Sequence, residues 1–347
     1  MDNSSPSYST QQLQESLTRR VYTRAVVKGE ITLPAVPAML DEYLAMCDTL
    51  FAGVGRKFSA EELGQVRTAL QEQLALGYEA SPRSVIIISY HSPVGSTLHY
   101  EVKAQWQTVE NAYQSWIGTR EPPLFGTEPD ARISALADEV SDPTMHWVLE
   151  IGAGTGRNTL ALARRGHPVD AVEKVPQFAE MIRAEADRES LQVRVLTRDI
   201  FSPADDLRRD YQLILASEVV SDLRTTAELR GLFELAAGCL APGACFVFNT
   251  FLARPGYEPD QVVREFGQQV YTSVFTWDEI RSAADDLPLE LVSDDSVYDY
   301  EKTHLPQGSW PPTTWYANWV NGLDVFPVER EASPLEMRWL VYQKIGW

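Results

Sequence analysis

The sequence predicts an α/β fold with a mostly parallel sheet, preceded by a mainly helical N-terminal extension that contains a β-hairpin. Three observations predict it. From about residue 130, strand-like and helix-like segments alternate. A glycine-rich stretch, Gly152-Ala-Gly-Thr-Gly156, joins the first of these strands to the first helix. Before residue 130 the apolar residues recur mainly at helical spacing.

Residues 1–15 are rich in Ser and Gln and are expected to fray. The stretch from about 16 to 80 reads as helical. Within it, Ser59-Ala-Glu-Glu62 has capping-box spacing and opens an apolar face of Leu63, Val66, Leu70 and Leu74. Ser81-Pro82 ends that run. The β-branched segment Val85-Ile-Ile-Ile-Ser-Tyr90, the turn Pro93-Val-Gly95 and the extended stretch Ser96–Val102 form the expected hairpin. Trp106–Ile117 returns to a helical, aromatic-rich pattern, which Glu121-Pro-Pro123 terminates.

In the alternating region, strands are expected at His146–Ile151, Val169–Glu173, Gln192–Leu196, Tyr211–Ala216 and Ala244–Thr250. Helices are expected at Asn158–Arg165, Gln177–Ala186 and Thr225–Leu240. Thr276-Trp-Asp-Glu279 is a second capping box and starts a further helix. Two late strands, Leu289–Val297 and Arg338–Gln343, flank an insertion at about 299–337 that is rich in Trp, Tyr and Pro. No repeat of solenoid period is present. The expected organisation is an extension over 1–130, serving as a cap or dimer surface, and a catalytic domain over 131–347.

The 347 residues carry 30 Lys+Arg against 49 Asp+Glu, a formal charge of −19. A nucleic-acid partner needs a basic footprint, and an anionic membrane surface attracts one, so neither partner is expected. The charge leaves a mild bias towards neutral or cationic ligands. Cys47, Cys239 and Cys245 are too few for a disulfide framework and match no zinc spacing. They read as buried reduced thiols, and no metal site is expected. Met1–Gln14 is polar, without the apolar core of a secretory signal, and runs such as Val85–Ile88 are far too short to span a bilayer. A cytoplasmic setting follows, with a homodimer allowed for.

The glycine loop carries most of the functional information. Its glycines run G-x-G-x-G at 152, 154 and 156, whereas a dinucleotide fold wants G-x-G-x-x-G with a pyrophosphate on the helix N-terminus. Glu150, two residues ahead, would repel a pyrophosphate and suits a ligand that presents an ammonium group. Glycine is needed where a ligand lies against the backbone.

Glu150-x-Gly152-x-Gly154-x-Gly156 after a strand resembles motif I of the class I S-adenosylmethionine-dependent methyltransferases. Val169-Asp-Ala-Val-Glu173 resembles their second strand, whose terminal acid takes the two ribose hydroxyls. Val193-Arg-Val-Leu-Thr-Arg-Asp199-Ile200 resembles the third, where an Asp accepts from the adenine amino group and the next apolar residue packs on the ring. Leu240-Ala-Pro-Gly243 resembles the L-x-P-G turn ahead of strand five. The resemblance covers about residues 145–255 and implies a Rossmann-like, seven-stranded sheet with helices on both faces. It implies S-adenosylmethionine as cofactor. The residues it points to are Glu150, Gly152, Ala153, Gly154, Gly156, Glu173, Lys174, Asp199, Ile200 and Ser217. Upstream, Tyr113-Gln-Ser-Trp116-Ile-Gly-Thr-Arg120 resembles a segment that lids the cofactor in small-molecule methyltransferases. Tyr113 and Arg120 are the residues implied there, Arg120 as partner of the methionine carboxylate. Asn158 is implied as a cofactor contact or as a helix cap.

Methyl transfer is mostly a matter of positioning and water exclusion, and only an acceptor that must lose a proton needs a base. In this fold the acceptor is met after strand four, which here reads Ala216-Ser-Glu218-Val-Val-Ser221-Asp222. Glu218 is the leading catalytic candidate and Asp222 the next. The pairing of Glu218 with Glu228 faintly resembles the two-glutamate loop of protein arginine methyltransferases, one reason to consider a cationic acceptor. The insertion holds Tyr298, Tyr300, His304, Trp310, Trp315, Tyr316, Trp319 and Phe326. These either wall the acceptor pocket or plug the N-terminal extension onto the sheet. His304, in the expected lid, is a third candidate base. The function expected is methyl transfer to a small molecule (at N, O or C) in specialised metabolism. The rivals are a peptide or protein methyltransferase acting on a basic chain and a non-catalytic cofactor-binding scaffold.

Overall fold

Side chains along Val27-Lys-Gly-Glu-Ile-Thr-Leu-Pro34 alternate between half-buried and exposed, and the segment is strand β1 rather than part of the expected helical stretch. Half-burial every second residue is the signature of a strand lying on one layer, and here it prevails over helical propensity. β1 pairs antiparallel with β2 (Val85–Ser92), which pairs antiparallel with β3 (His99–Gln105) from Val85↔Gln105 to His91↔His99. That is the expected hairpin; its turn, 93–96, lies outside the described residues. The computed structural model describes residues 9–22, 27–92, 97–106, 111, 113, 117, 123–202 and 206–346. It divides the chain into units 1–108 and 109–347.

In the first unit, helix α1 (Thr10–Tyr22) begins inside the stretch expected to fray. Helices α2 (Leu40–Gly53) and α3 (Ala60–Ala80) supply the core of the three-stranded layer. Cys47 and Phe51 of α2, Val66, Leu70 and Leu74 of α3, and Ile86 and Ile88 of β2 are fully buried together. Ser59 caps α3 reciprocally with Glu62, as the sequence spacing requires.

The second unit holds an eight-stranded sheet. Strands β4 (Val148–Ile151), β5 (Val169–Glu173), β6 (Val193–Thr197), β7 (Tyr211–Ala216) and β8 (Leu240–Ala253) are parallel, in the order β6-β5-β4-β7-β8. Beyond β8 lies antiparallel β11 (Leu335–Lys344), then β10 (Leu289–Ser296). The eighth strand, absent from the sequence expectation, is the two-residue β9 (Val274–Phe275), parallel to the end of β8. Every residue of β4 and β5 is buried, so apolar side chains occupy both faces. Adjacent residues serve opposite cores: Leu149 and Ile214 pack with Phe233 on one face, Val148 and Leu215 with Phe251 and Trp339 on the other.

Leu240-Ala-Pro-Gly243 is not a turn before the strand. It lies within β8 as a bulge, where pairing passes from Tyr211↔Leu240 to Leu213↔Cys245 and Gly243 takes φ +79°. Helices α4 (Ala131–Asp138), α5 (Arg157–Arg164), α6 (Pro176–Glu189), α7 (Thr226–Cys239), α8 (Gln261–Gln269) and α9 (Trp277–Ala284) follow in chain order. The aromatic insertion carries α10 (Val297–His304) and the single turn α11 (Tyr316–Trp319). Its Tyr316 and Trp319 are buried in the core against β8 and β11, with Trp319 edge-on to Phe251 at 5.4 Å. Cys47 and Cys239 are buried, whereas Cys245 is only half-buried. Among the described residues, no helix is long and apolar enough to cross a membrane.

Candidate functional site

Parallel strands deliver their carboxyl ends to one edge of the sheet. The ends of β4, β5, β6 and β7 there line a cavity of about 620 Å³. The glycine loop leaves β4 with Gly152, Gly154 and Gly156 at φ +68°, +55° and +87°, a hand that side chains resist. The loop is pinned to β5 by Gly152 N–H and Ala153 N–H, which donate to the Val172 carbonyl at 2.8 and 3.1 Å. A Cβ on Gly152 would lie 2.5 Å from Val219 Cγ2, and one on Gly156 2.9 Å from Ile182. The glycines thus answer first to backbone hand and to protein neighbours, not only to a ligand. Gly152, Ala153 and Gly154 line the cavity, while Gly156 lies behind it.

Glu173, at the end of β5, accepts from Gly154 N–H through one carboxylate oxygen and from Val175 N–H through the other, both at 2.7 Å. Burial raises its pKa, and the two N–H groups counter the rise. Each oxygen keeps a lone pair for a further donor. Lys174 follows it on the cavity wall, with Asp199 and Ile200 beyond the end of β6. Asp199 is exposed and turns its own loop by accepting from Phe201 N–H at 2.8 Å, and Ile200 is buried.

Glu150 also borders the cavity, but both its oxygens are engaged inside the protein, by Thr159 Oγ1 and, at 3.4 Å, by Asn158 Nδ2. Burial pushes its carboxyl up to about 8 against those two hydrogen bonds. Asn158 does not cap α5, whose N-cap is Gly156. Instead it brackets Asp130, donating to the carboxylate and accepting from the backbone N–H, both at 2.9 Å.

Asp130 and Arg157 organise the other half of the site. Arg157 Nη1 lies 2.7 Å from Asp130 and Nη2 3.1 Å from Glu218, with the guanidinium side chain 8% exposed and Asp130 1%. Ser217 Oγ donates to Asp130 at 2.7 Å. Glu218 itself has φ +60°, a left-handed backbone for a non-glycine residue. Neighbours hold it there: its N–H donates to Asn249 Oδ1 at 2.6 Å, and its carbonyl accepts from Ser221 Oγ at 3.0 Å. Burial pushes the Glu218 carboxyl up to about 7; Arg157 opposes this, and Asp130 and Asp222 reinforce it. Asp222 accepts from Tyr113 Oη at 3.3 Å. Tyr271, Trp315, Trp319 and Asp324 also line the cavity.

The structure therefore gathers Tyr113, Glu150, Gly152, Ala153, Gly154, Asn158, Glu173, Lys174, Asp199, Ile200, Ser217, Glu218 and Asp222 around one cavity. It does not bring His304 there. That residue ends α10 on the exposed surface, stacked on the Tyr300 ring at 4.2 Å with Nδ1 2.8 Å from the Tyr300 carbonyl. Arg120 and Trp116 lie outside the described residues. Sequence reasoning missed Asp130, Tyr271 and Asp324. Asp130 alone had a signal, an acid directly before α4.

Residues 148–243 match the family described as Methyltransferase domain. No curated protein matches the chain in sequence. Among solved structures, the chain is similar to geranyl diphosphate C-methyltransferase from Streptomyces coelicolor A3(2), at 15% identity over 62% of this chain and 79% of that one, with a TM-score of 0.47. It is also similar to a geranyl diphosphate methyltransferase in complex with SAM (16%, 62% and 85%, 0.49) and to the StiE O-MT (16%, 70% and 79%, 0.42). The matched segment contains the glycine loop, Glu173, Asp199 and Glu218 in order from β4 to just past β7, and by that match residues 148–243 are a methyltransferase domain.

Proposed function

We propose that the chain transfers the methyl group of S-adenosylmethionine to a small-molecule acceptor bound between the end of β7 and the aromatic insertion. The observation that carries this is the single continuous cavity. It runs from Glu173 and Asp199 to Trp315 and Trp319, and its volume of about 620 Å³ lies within the range of small-molecule sites, roughly 300–1,000 Å³.

The residues present fit the cofactor. Glu173 would take the ribose hydroxyls through its remaining lone pairs. Ile200 and Asp199 would receive the adenine ring and its amino group, and the loop at Gly152–Gly154 the methionine end. Glu150 would act through Asn158 and Thr159, shaping the loop rather than touching the ligand. When bound, the cofactor supplies a methyl group made electrophilic by a sulfonium. The chain's own residues place the acceptor, exclude water and, where needed, take its proton. Glu218 is the residue set to take it.

Calorimetry of the full chain with S-adenosylhomocysteine tests the premise, and absence of binding at high micromolar concentration overturns it. With binding shown, labelled methyl transfer is compared on a metabolite library and a basic-peptide library. Transfer confined to peptides would replace the small-molecule reading.

A further inference from the structure

The far end of the cavity differs in chemistry from the cofactor end. Glu218, Asp222 and Asp324 line it, together with the indoles of Trp315 and Trp319 and the ring of Tyr271, and Glu228 is a further carboxylate on the cavity wall. Among the described residues the one cation on this wall is Arg157, and both its terminal nitrogens are committed, to Asp130 and to Glu218. Asp324 makes no hydrogen bond or ion pair with any described residue. Lys174 and Arg198 stand beside Glu173 and Asp199, at the ends of β5 and β6. Among the described residues an anionic acceptor would therefore meet carboxylates and no uncommitted cation on this wall, whereas aromatic faces and carboxylates both favour a cation.

We propose that the acceptor is a small amine, held as its ammonium against Trp315 and Trp319 by Asp222 and Asp324, with Glu218 as the group that takes its proton. This rests on the methyl-transfer reading above. The ammonium gives one proton to the Glu218 carboxylate. The freed nitrogen lone pair forms the new N–C bond as the C–S bond breaks, and that electron pair remains on sulfur as a neutral thioether. The positive charge passes from sulfur to the methylated nitrogen, so the cavity's net charge is unchanged across the step. A carboxyl whose affinity for a proton is raised by burial suits the exchange, because it accepts near neutral pH and releases again afterwards.

Three probes share one skeleton and differ in charge: benzylamine, benzyl alcohol and benzoate. Each is titrated at neutral pH into the full chain saturated with S-adenosylhomocysteine. The expected order is amine, alcohol, benzoate, with the amine at least about tenfold tighter than the alcohol. Asp324→Asn is expected to remove most of that preference while leaving S-adenosylhomocysteine affinity unchanged. Equal affinities, or a preference for the alcohol or benzoate, overturn the amine and leave the methyl-transfer reading standing. Failure of S-adenosylhomocysteine to bind overturns that reading, and the amine with it. Methyl transfer to basic peptides in preference to free amines overturns the small acceptor while keeping the cation.

Discussion

Arg157 and Glu218 face each other across 3.1 Å, one at the start of α5 and the other just past the end of β7. The same guanidinium reaches Asp130, so one cation tethers two acids from separate loops. Replacing it with the similarly shaped Arg157→Met would leave two buried carboxylates uncompensated. The expected loss of stability is about 3–5 kcal/mol, read as a lower urea midpoint. A midpoint close to that of the parent chain would show that the pair contributes little.

Glu218→Gln keeps shape and one acceptor oxygen but cannot take a proton. Turnover should fall by about 100-fold or more, with S-adenosylhomocysteine affinity within about twofold of the parent (RT ln 2, a few tenths of a kcal/mol). In the proposed role Glu218 acts as the carboxylate, and burial pushes its pKa up to about 7. Rate should thus be lost as pH falls through about 7, along a limb that the Gln variant lacks. A Gln variant at full speed removes Glu218 from the chemistry.

Gly152→Ala meets two obstacles, φ +68° and Val219 Cγ2 at 2.5 Å. Backbone of that hand costs of order 1–3 kcal/mol for a residue with a side chain, and the clash adds to it. Pairing Gly152→Ala with Val219→Ala should relieve the clash and not the backbone term. The double variant should then recover part, not all, of the lost melting temperature. Full recovery would mean that the steric contact alone demands glycine.

Glu301 is 1% exposed and accepts from Ala131 N–H at 2.7 Å, Arg132 N–H at 3.2 Å and Trp339 Nε1 at 2.9 Å. Burial nonetheless pushes its carboxyl from an ordinary 4.5 up to about 7, with Asp130 adding to the rise. Between those values the native state binds more protons than the unfolded chain, so stability declines as pH rises from about 4.5 to 7 and levels off above. Glu150 and Glu218 act in the same direction. Urea titrations at pH 5 and pH 8 should give a smaller difference for Glu301→Gln than for the parent. An unchanged difference would assign the slope to other groups.

The catalytic sheet was legible because its strands announce themselves twice, as short apolar runs and as the residues that follow them. Val169–Glu173 coincides with β5 to the residue, since a fully buried strand leaves little choice of side chain and the acid marks its exit. β1 was illegible: on its half-buried face Val27, Ile31 and Leu33 are interrupted by Gly29, too weak a period against Lys28, Glu30 and Thr32 inside a helix-rich stretch. At the site, residues tied to local geometry were readable, as with the glycines and Glu173. Those brought in from a distance were not. Asp130 reaches Ser217 across 87 residues, and Tyr271 and Asp324 come from segments with no motif of their own. His304 was misjudged because being in the right insertion does not fix a direction, and its helix turns Val297 and Glu301 inward instead.

Trp319 has a double allegiance. It walls the cavity, yet it is 4% exposed, packs on Phe251 and donates from Nε1 to the Tyr271 carbonyl at 3.0 Å. Trp315 is only half-buried, and Asp324 is exposed. A substitution at 315 or 324 therefore changes the cavity wall with little cost to the core, whereas one at 319 also disturbs the packing on Phe251. If the proposed acceptor site is right, relatives that take other acceptors should diverge at the first two positions while retaining an indole at the third.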